Sequence, residues 1–278
     1  MSFIETAIKK IQASGASAPA VGSMPAQQQP AGRRAKSQAR PEALAPQNVR
    51  QFRRAALDTE VMERNCVLPQ LSDQPALRSY KILRTRLLQR MAANQWSSLA
   101  VTGAEAGQGK TLTAINLAIA LAQDPSTYVF LVDLDLQRPQ LAAYLGMSFG
   151  KGLGEYLFGE AEIDDIIYSA GAERLAVIPN SRACEHSSEL LAGQRMLSLQ
   201  RALQAEVPKR IVIYDMPPLL LSDDVLTFAP QVDGLLLVVS EGLTTRSSIE
   251  RAKEILSEMN LISVVLNRST ERDDSAYY

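Results

Sequence analysis

The sequence predicts a doubly wound α/β fold, in which helices cover both faces of a mostly parallel sheet. Short apolar segments rich in Val, Ile and Leu alternate with stretches of helical periodicity. Near-continuous apolar runs are typical of parallel strands that are buried on both faces. The predicted strands are Ser98–Thr102, Tyr128–Val132, Leu175–Ile178, Ile211–Tyr214, Leu235–Val239 and Val264–Leu266. In such a sheet, ligands bind at the carboxyl ends of the strands.

Composition excludes several classes of protein. The 278 residues are 46% hydrophobic and 21% charged, which is ordinary for a globular protein, and the net charge of -1 argues against nucleic acid as a partner. The single histidine, His186, and two distant cysteines, Cys66 and Cys184, argue against a Cys/His zinc site and favour a reducing compartment. We expect no signal peptide, because the first residues carry an acid where a base is required, and no apolar run reaches the ~18–20 residues of a membrane span. We expect a cytoplasmic protein.

Four segments are predicted along the chain. Residues 1–12 form a short amphipathic helix, 13–60 a flexible linker, 61–270 the globular domain and 271–278 a tail. The linker is disordered because its Pro, Ala and Gln residues bury too little apolar surface. Its basic residues either contact anionic lipid or an acidic partner, or only keep the linker soluble. The first helix either docks on a partner or packs on the globular domain.

The first strong motif follows the first predicted strand. Ala104–Thr111 has the spacing of a phosphate-binding loop (P-loop), although Ala104 replaces its first glycine, and a helix is predicted from Leu112 to Gln123. Glycines allow backbone N–H groups to surround phosphate oxygens, and the helix N-terminus adds its positive dipole. Lys110 is placed to reach the β- and γ-phosphates, and the Thr111 hydroxyl to bind Mg²⁺. The nucleotide-binding residues predicted in this loop are Ala106, Gly107, Gln108, Gly109, Lys110, Thr111 and Leu112.

Aspartates follow two other predicted strands. Asp133 and Asp135 follow the second strand, and Asp215 follows the fourth. A carboxylate at the end of a buried strand is poorly solvated unless it faces a cation. Beside the P-loop, these aspartates predict a site for Mg²⁺ and a nucleotide. Capping of a following helix is the alternative for Asp133 and Asp135.

Together the motifs resemble the bacterial tyrosine kinases (BY-kinases) that control capsule and exopolysaccharide synthesis, and more weakly their cytosolic autokinase type. The resemblance covers about residues 76–278. The segments that carry it are Glu105–Thr111 with Asn116-Leu117-Ala118, Val132–Pro139, Glu189–Leu191, Asp215–Pro218 with Asp224, and Val264–Asn267.

The resemblance implies that ATP is the phosphoryl donor, a tyrosine hydroxyl the acceptor and Mg²⁺ the cofactor. The residues that it implicates in catalysis are Lys110, Asp133, Asp135, Arg138 and Asp215. Thr111, Asp133 and Asp215 would hold the metal or its waters, and Asp135 would accept the proton. Arg138 would assist the segment that carries Asp133 and Asp135. Asn267 is either a contact to adenine or a residue of the turn that ends the strand.

The chain itself offers acceptors, because it ends with Tyr277 and Tyr278. The ten residues from Asn267 to Tyr277 reach about 33–36 Å when extended. This length could deliver a hydroxyl group to a neighbouring subunit's site or to the chain's own site. An ordinary frayed tail is the alternative.

The chain departs from its apparent family in one oligomerisation motif. Many relatives form rings through an acid and two bases spaced by three residues on the helix before the first strand, which spans Leu77–Met91 here. The aligned residues are Arg78, Lys81 and Arg84, so a base replaces the acid. We expect the ring to be weakened, absent or built differently, because Arg78 replaces attraction by repulsion.

The resemblance also implies a partner. Relatives without a membrane span require a membrane-bound polysaccharide co-polymerase that activates them, so we expect peripheral recruitment to the inner membrane. Two other functions remain open. A ParA/MinD-like ATPase switch would have a lysine where this chain has Glu105. A nucleotide-sensing regulatory subunit of an export complex would bind ATP without catalysis.

Overall fold

The computed structural model describes residues 52–68, 74–207 and 209–269. The predicted N-terminal helix, most of the predicted linker and the terminal tyrosines lie outside these residues. Within them, the helices are α1 (Thr59–Arg64), α2 (Gln74–Asn94), α3 (Lys110–Ala122), α4 (Leu141–Leu145), α5 (Leu153–Leu157), α6 (Ile163–Ile166), α7 (Ser187–Leu191), α8 (Gln194–Glu206), α9 (Asp224–Phe228) and α10 (Arg246–Leu256). None of these helices combines the length and the apolar character that crossing a membrane requires.

An eight-stranded sheet forms the centre of the described residues, with the order β1-β4-β5-β3-β6-β2-β7-β8. Its strands are β1 (Arg53–Arg54), β2 (Ser98–Gly103), β3 (Tyr128–Asp133), β4 (Tyr168–Ser169), β5 (Leu175–Ile178), β6 (Arg210–Asp215), β7 (Leu235–Ser240) and β8 (Leu261–Asn267). All neighbouring strands are parallel except β4 and β5. The predicted doubly wound α/β fold is therefore confirmed.

Alternate residues of each strand face different helical layers. In β3, Phe130 and Val132 pack with residues of α5 and α8 to α10, whereas Val129 and Leu131 pack with residues of α1 to α4. Burial on both faces explains why the strands read as continuous apolar runs. Since β2, β3 and β6 are parallel neighbours of this sheet, their carboxyl ends lie together at one edge.

The folded region begins earlier than expected. The sequence predicts a flexible linker up to residue 60, but residues 52–60 include β1 and the start of α1. The ring of Phe52 lies 6.2 Å from that of Tyr128 and 6.0 Å from that of Phe130. Asp58 caps α1, because its Oδ1 accepts hydrogen bonds from the N–H groups of Glu60 (2.9 Å) and Val61 (3.2 Å). This basic segment is therefore part of the folded domain, through the pairing of β1 with β4 and the packing of Phe52.

Candidate active site

The P-loop connects β2 to α3. Gly107 has φ 76° and Gly109 has φ 86°, a region that favours glycine. A Cβ atom at Gly109 would collide with the side-chain amide of Asn267, whereas nothing lies within 4 Å of the corresponding position at Gly107. Ala106 and Gly107 form the exposed tip of the loop. A glycine is thus favoured at position 107 by its backbone conformation alone. At position 109, a glycine is favoured both by the backbone conformation and by the close approach of Asn267.

Residues at the end of β8 hold the P-loop. The Asn267 Nδ2 atom donates to the backbone oxygen of Gln108 (2.9 Å), and its Oδ1 atom accepts from the N–H of Arg268 (2.9 Å). Arg268 Nη2 donates to the backbone oxygen of Gly107 (3.1 Å). Asn267 therefore takes part in the turn that ends β8 and also supports the loop.

The turn after β7 and the start of α10 hold the other side of the P-loop. Gln108 Nε2 donates to Thr244 Oγ1 (2.8 Å), and Ser248 Oγ donates to Glu105 Oε1 (2.7 Å). Glu105 thus binds within its own chain. These contacts join residues more than 130 positions apart in the chain, so no local sequence pattern pointed to Thr244 or Ser248.

Lys110 is the centre of charge in the site. Its Nζ atom lies 2.7 Å from Asp135 Oδ2, 4.0 Å from Asp215 Oδ1 and 3.4 Å from Thr111 Oγ1. Burial lowers the pKa of Lys110, but the negative charges of Asp215 and Asp135 outweigh burial and raise it. The side chain therefore carries its positive charge at neutral pH.

Asp133 and Asp215 are almost completely buried beside Lys110. Burial, and secondly the charge of Asp215, raise the pKa of Asp133 well above its usual range. The Asp133 Oδ2 atom accepts from the N–H of Leu141 (3.1 Å), the first residue of α4, and its Oδ1 atom accepts from the N–H of Asp135 (3.3 Å). Asp133 therefore binds the first N–H group of α4, although the N-cap residue of that helix is Gln140.

Asp215 lacks such support. Both of its carboxylate oxygens are buried without a hydrogen-bond partner among the described residues. Burial raises the pKa of Asp215, and the charge of Lys110 opposes this rise. Buried polar atoms without partners are rare in proteins and often mark a site for a ligand.

Arg138 contributes its backbone to the site. Its N–H donates to Asp135 Oδ1 (3.1 Å), while its side chain is exposed. Leu112 is half-buried one residue beyond Thr111. The structure thus gathers Lys110, Thr111 and the three aspartates at one edge of the sheet, whereas Tyr277 and Tyr278 lie outside the described residues.

A phosphate-binding loop at the carboxyl edge of a parallel sheet, with aspartates facing its lysine, defines a P-loop nucleotide-binding protein. A sequence profile of the "CobQ/CobB/MinD/ParA nucleotide binding domain" family matches residues 99–277, and the chain belongs to that family.

Within this family, the chain belongs to the bacterial protein-tyrosine kinases. It is 28% identical over 223 residues to the tyrosine-protein kinase YwqD of Bacillus subtilis, covering 78% of this chain and 92% of that protein. It is 30% identical over 176 residues to the tyrosine-protein kinase CpsD of Streptococcus agalactiae, covering 62% and 75% of the two chains. The solved kinase domain of the Escherichia coli tyrosine kinase ETK superposes with a TM-score of 0.66 at 28% identity, covering 75% of this chain and 82% of that one.

Proposed function

We propose that this kinase binds ATP on its P-loop and transfers the γ-phosphoryl group to tyrosine hydroxyls, including those of Tyr277 and Tyr278. The observation that carries the proposal is the position of Lys110, whose Nζ atom lies 2.7 Å from Asp135 and 4.0 Å from Asp215. A cation held between carboxylates at the start of α3 can bind phosphate oxygens without moving far. Phosphoryl transfer depends mainly on such positioning and on neutralisation of charge.

Binding of ATP would change the partner of Lys110. When Lys110 turns to the phosphates, Asp135 loses the hydrogen bond from Nζ and becomes a free carboxylate beside the transferred group. Asp135 can then accept the proton of the attacking phenol. A phenol has a pKa of about 10, so a single carboxylate base suffices. The exposed guanidinium of Arg138 is available to neutralise charge on the phosphates.

The donor atoms of the site fit a magnesium ion. Carboxylates and a hydroxyl are the oxygen ligands that Mg²⁺ prefers, and this ion usually binds one or two carboxylates, phosphates and water. Among the described residues, no cluster of three acidic, His or Cys side chains could hold a metal by itself. Thr111, Asp133 and Asp215 would therefore hold the ion or its waters together with ATP. The bound ion would neutralise charge on the phosphates.

Burial of the other tyrosines favours Tyr277 and Tyr278 as acceptors. The other six of the eight tyrosines are described, and every one of them is buried or half-buried. Burial also raises the pKa of Tyr128 to about 12 and raises the pKa of Tyr156. Burial and a raised pKa make the Tyr128 and Tyr156 hydroxyls poor phosphoryl acceptors.

We assign the kinase to bacterial capsule or exopolysaccharide synthesis or export. A membrane-bound co-polymerase would recruit it from the cytoplasm to the inner membrane and activate it.

The kinase would form only weak oligomers through the ring interface that many of its relatives use. Arg78 and Lys81 are exposed on α2, whereas Arg84 Nη1 donates to Ala120 O and Gln123 Oε1 within the chain, both at 3.3 Å. In light scattering, Arg78→Glu should strengthen assembly. If the wild-type protein forms the ring and Arg78→Ala leaves its assembly unchanged, Arg78 does not weaken the interface.

The experiment is incubation of the full chain with Mg²⁺ and ATP, followed by detection of phosphotyrosine. Lys110→Met should abolish the signal, and Lys253→Met, on the exposed face of α10, should leave it unchanged. Tyr277→Phe combined with Tyr278→Phe should remove most of the signal, whereas Tyr144→Phe should not. A signal that persists in the double variant would place the acceptor elsewhere.

Two results would favour other functions. ATP binding without phosphotyrosine, even with the membrane activator present, would identify a nucleotide-sensing subunit. Rapid ATP hydrolysis without phosphotyrosine would identify an ATPase switch. Glu105 argues against the ATPase switch, because an acidic side chain at this position cannot neutralise a partner's phosphates. It accepts a hydrogen bond from Ser248 of its own chain instead.

A further inference from the structure

A second buried carboxylate, Asp224, lies near the site without taking part in the proposed chemistry. It is the first residue of α9, nine residues beyond Asp215, and it is completely buried. Ser187 Oγ donates to its Oδ1 atom (2.7 Å), but its Oδ2 atom has no hydrogen-bond partner among the residues that the structure describes. Burial raises the pKa of Asp224, and the bond from Ser187 opposes this rise. Burying a carboxyl group with an unpaired oxygen atom costs free energy. The hydrogen bond from Ser187 therefore indicates what Asp224 does at this position.

That contact leads to the loop that carries Asp135. Ser187, which is also buried, accepts a hydrogen bond from Gln137 Nε2 (3.1 Å). Three residues earlier, the N–H of Cys184 donates to the backbone oxygen of Leu136 (2.8 Å). The segment 184–187 therefore binds both residues that follow Asp135.

Asp224 and Ser187 thus join two loops at the carboxyl edge of the sheet. Asp224 belongs to the connection after β6, and Gln137 belongs to the connection after β3. Nearer the strands, a backbone hydrogen bond joins these two regions, since the N–H of Leu134 donates to Asp215 O (2.8 Å). The hydrogen bonds from Gln137 to Ser187 and from Ser187 to Asp224 add a side-chain link beyond Asp135.

We infer that Asp224 is a positioning residue for phosphoryl transfer: through Ser187 and Gln137 it orients the loop 134–139 so that Asp135 faces Lys110. The inference rests on the proposed function, because it concerns the aspartate to which we assign the proton. Misplacement of a catalytic group by about 1 Å can cost on the order of 10²-fold in rate. Loss of the link should therefore lower the rate of transfer without weakening ATP binding, since the P-loop is held by other residues.

The test compares the kinetics of tyrosine phosphorylation in single variants of the full chain. Ser187→Ala and Asp224→Ala should lower kcat by roughly ten- to a hundredfold, with the KM for ATP changed less than about twofold. Asp224→Asn keeps an acceptor oxygen for Ser187 and should retain kcat within about threefold. In an Asp135→Ala background, Ser187→Ala should have no further effect, because the link acts through Asp135.

A second serine–aspartate pair provides the matched control. Ser98 Oγ donates to Asp233 Oδ2 (2.8 Å) at the amino end of β2, far from the P-loop. Ser98→Ala should destabilise the fold to a similar degree in urea unfolding and leave kcat unchanged. If Asp224→Ala does not fold, Ser187→Ala carries the test, since it removes a single oxygen atom.

Three outcomes would overturn the inference. These are an unchanged kcat in Ser187→Ala, an equal loss of kcat in Ser98→Ala, or an Asp224→Asn variant as slow as Asp224→Ala. In each case an active wild-type protein and an inactive Lys110→Met variant would leave the proposed kinase function intact.

Discussion

Asp133 and Asp215 stand opposite each other at the last paired position of the parallel strands β3 and β6. Their side chains are 0% and 1% exposed, so two acidic groups share a buried edge of the sheet. Lys110 approaches them from the P-loop, with its Nζ atom 4.0 Å from Asp215. Because the pKa of each carboxyl is raised, ionisation of the pair opposes folding. The buried pair of carboxyl groups therefore lowers the stability of the fold at neutral pH.

Asp215→Asn should stabilise the protein in the absence of nucleotide while abolishing kinase activity. Removing one buried charge should raise the free energy of unfolding by on the order of 1 kcal/mol at pH 8. Because the folded-state pKa of Asp215 is raised, this group favours proton uptake on folding. The free-energy cost of its ionised form therefore disappears as the pH falls toward about 4, the pKa of an aspartate in the unfolded chain. Urea unfolding at pH 8 and pH 4 measures the difference.

The exposed neighbour Asp223 supplies the control for this prediction. Asp223→Asn removes a similar charge from the surface and should change the free energy of unfolding by less than about 0.5 kcal/mol. If Asp215→Asn proved less stable than the wild-type protein at pH 8, ionised Asp215 would be a net stabilising group, contrary to this argument.

Lys110→Met should have the opposite effect on stability. The charge of Lys110 offsets three carboxylates, so its removal should lower the free energy of unfolding by about 2–3 kcal/mol at pH 7. The pKa of Lys110 is raised in the folded protein. Its stabilising contribution is therefore complete below about 10.4, the pKa of a lysine in the unfolded chain, and is lost as the pH rises through the folded-state pKa. Urea unfolding measures the loss.

A double-mutant cycle isolates the interaction. Combined with Asp215→Asn, the substitution Lys110→Met should cost at least about 1 kcal/mol less than it does alone. Additive effects of the two substitutions would show that the 4.0 Å approach of Lys110 to Asp215 has no energetic consequence.

The convergence of the P-loop and the three aspartates could be predicted from the sequence because each lies directly after an apolar strand, and parallel strands bring their carboxyl ends together. The supports of the site could not be predicted. Asn267, Thr244 and Ser248 reach the P-loop across the fold, and a hydrogen bond between distant residues leaves no periodic or spaced signal.

The edge of the sheet was missed for another reason. Strands β1 and β4 have two residues each, too few to show alternation or an apolar run. In the segment 52–60, the basic residues and the adjoining Pro- and Ala-rich sequence suggested a linker. The contacts of Phe52 with Tyr128 and Phe130 outweighed that local composition.

The close approach of Asn267 predicts different effects for the two glycines of the P-loop. Gly107→Ala should cost about 1–2 kcal/mol of stability, the penalty of a left-handed conformation for a residue with a Cβ atom. Gly109→Ala should cost at least about 1 kcal/mol more, because its Cβ atom also collides with the Asn267 amide. Thermal unfolding of the nucleotide-free protein measures both losses.

Asn267→Ala should rescue part of the loss in Gly109→Ala and none of the loss in Gly107→Ala. Equal destabilisation by the two glycine substitutions, with no rescue, would show that the P-loop is not in contact with Asn267 in solution.

Phe52→Ala tests whether the segment before α1 belongs to the folded domain. Loss of its ring from the contacts with Tyr128 and Phe130 should cost about 2–3 kcal/mol, less than for a completely buried phenylalanine. The adjacent Arg53 makes a surface ion pair with Asp165 at 3.1 Å and is 65% exposed, so Arg53→Ala should cost less than about 0.5 kcal/mol. Urea unfolding of both variants makes the comparison, and equal small losses would return residues 52–60 to the linker.

Asp124 gives the fold a dependence on acidic pH that is separate from the active site. Its Oδ1 atom accepts from the N–H (3.0 Å) and hydroxyl (2.8 Å) of Ser126, and its Oδ2 atom accepts from Thr127 Oγ1 (2.9 Å), in the turn before β3. Burial alone would raise the pKa of Asp124, but these hydrogen bonds and the charge of Lys209 lower it to about 2. A lowered folded-state pKa means that the stabilisation is complete above the unfolded value of about 4 and is lost as the pH falls toward 2.

Asp124→Ala should therefore lower the free energy of unfolding by about 1–2 kcal/mol at pH 7, since it removes hydrogen bonds that a charged acceptor strengthens. The difference from the wild-type protein should shrink between pH 4 and pH 2. Lys209→Ala should cost less than about 0.5 kcal/mol, because Lys209 is 62% exposed and lies 3.6 Å from Asp124. Urea unfolding at pH 7, 4 and 2.5 measures these values. A loss in Asp124→Ala that is the same at all three pH values would show that its ionised carboxylate does not hold the turn.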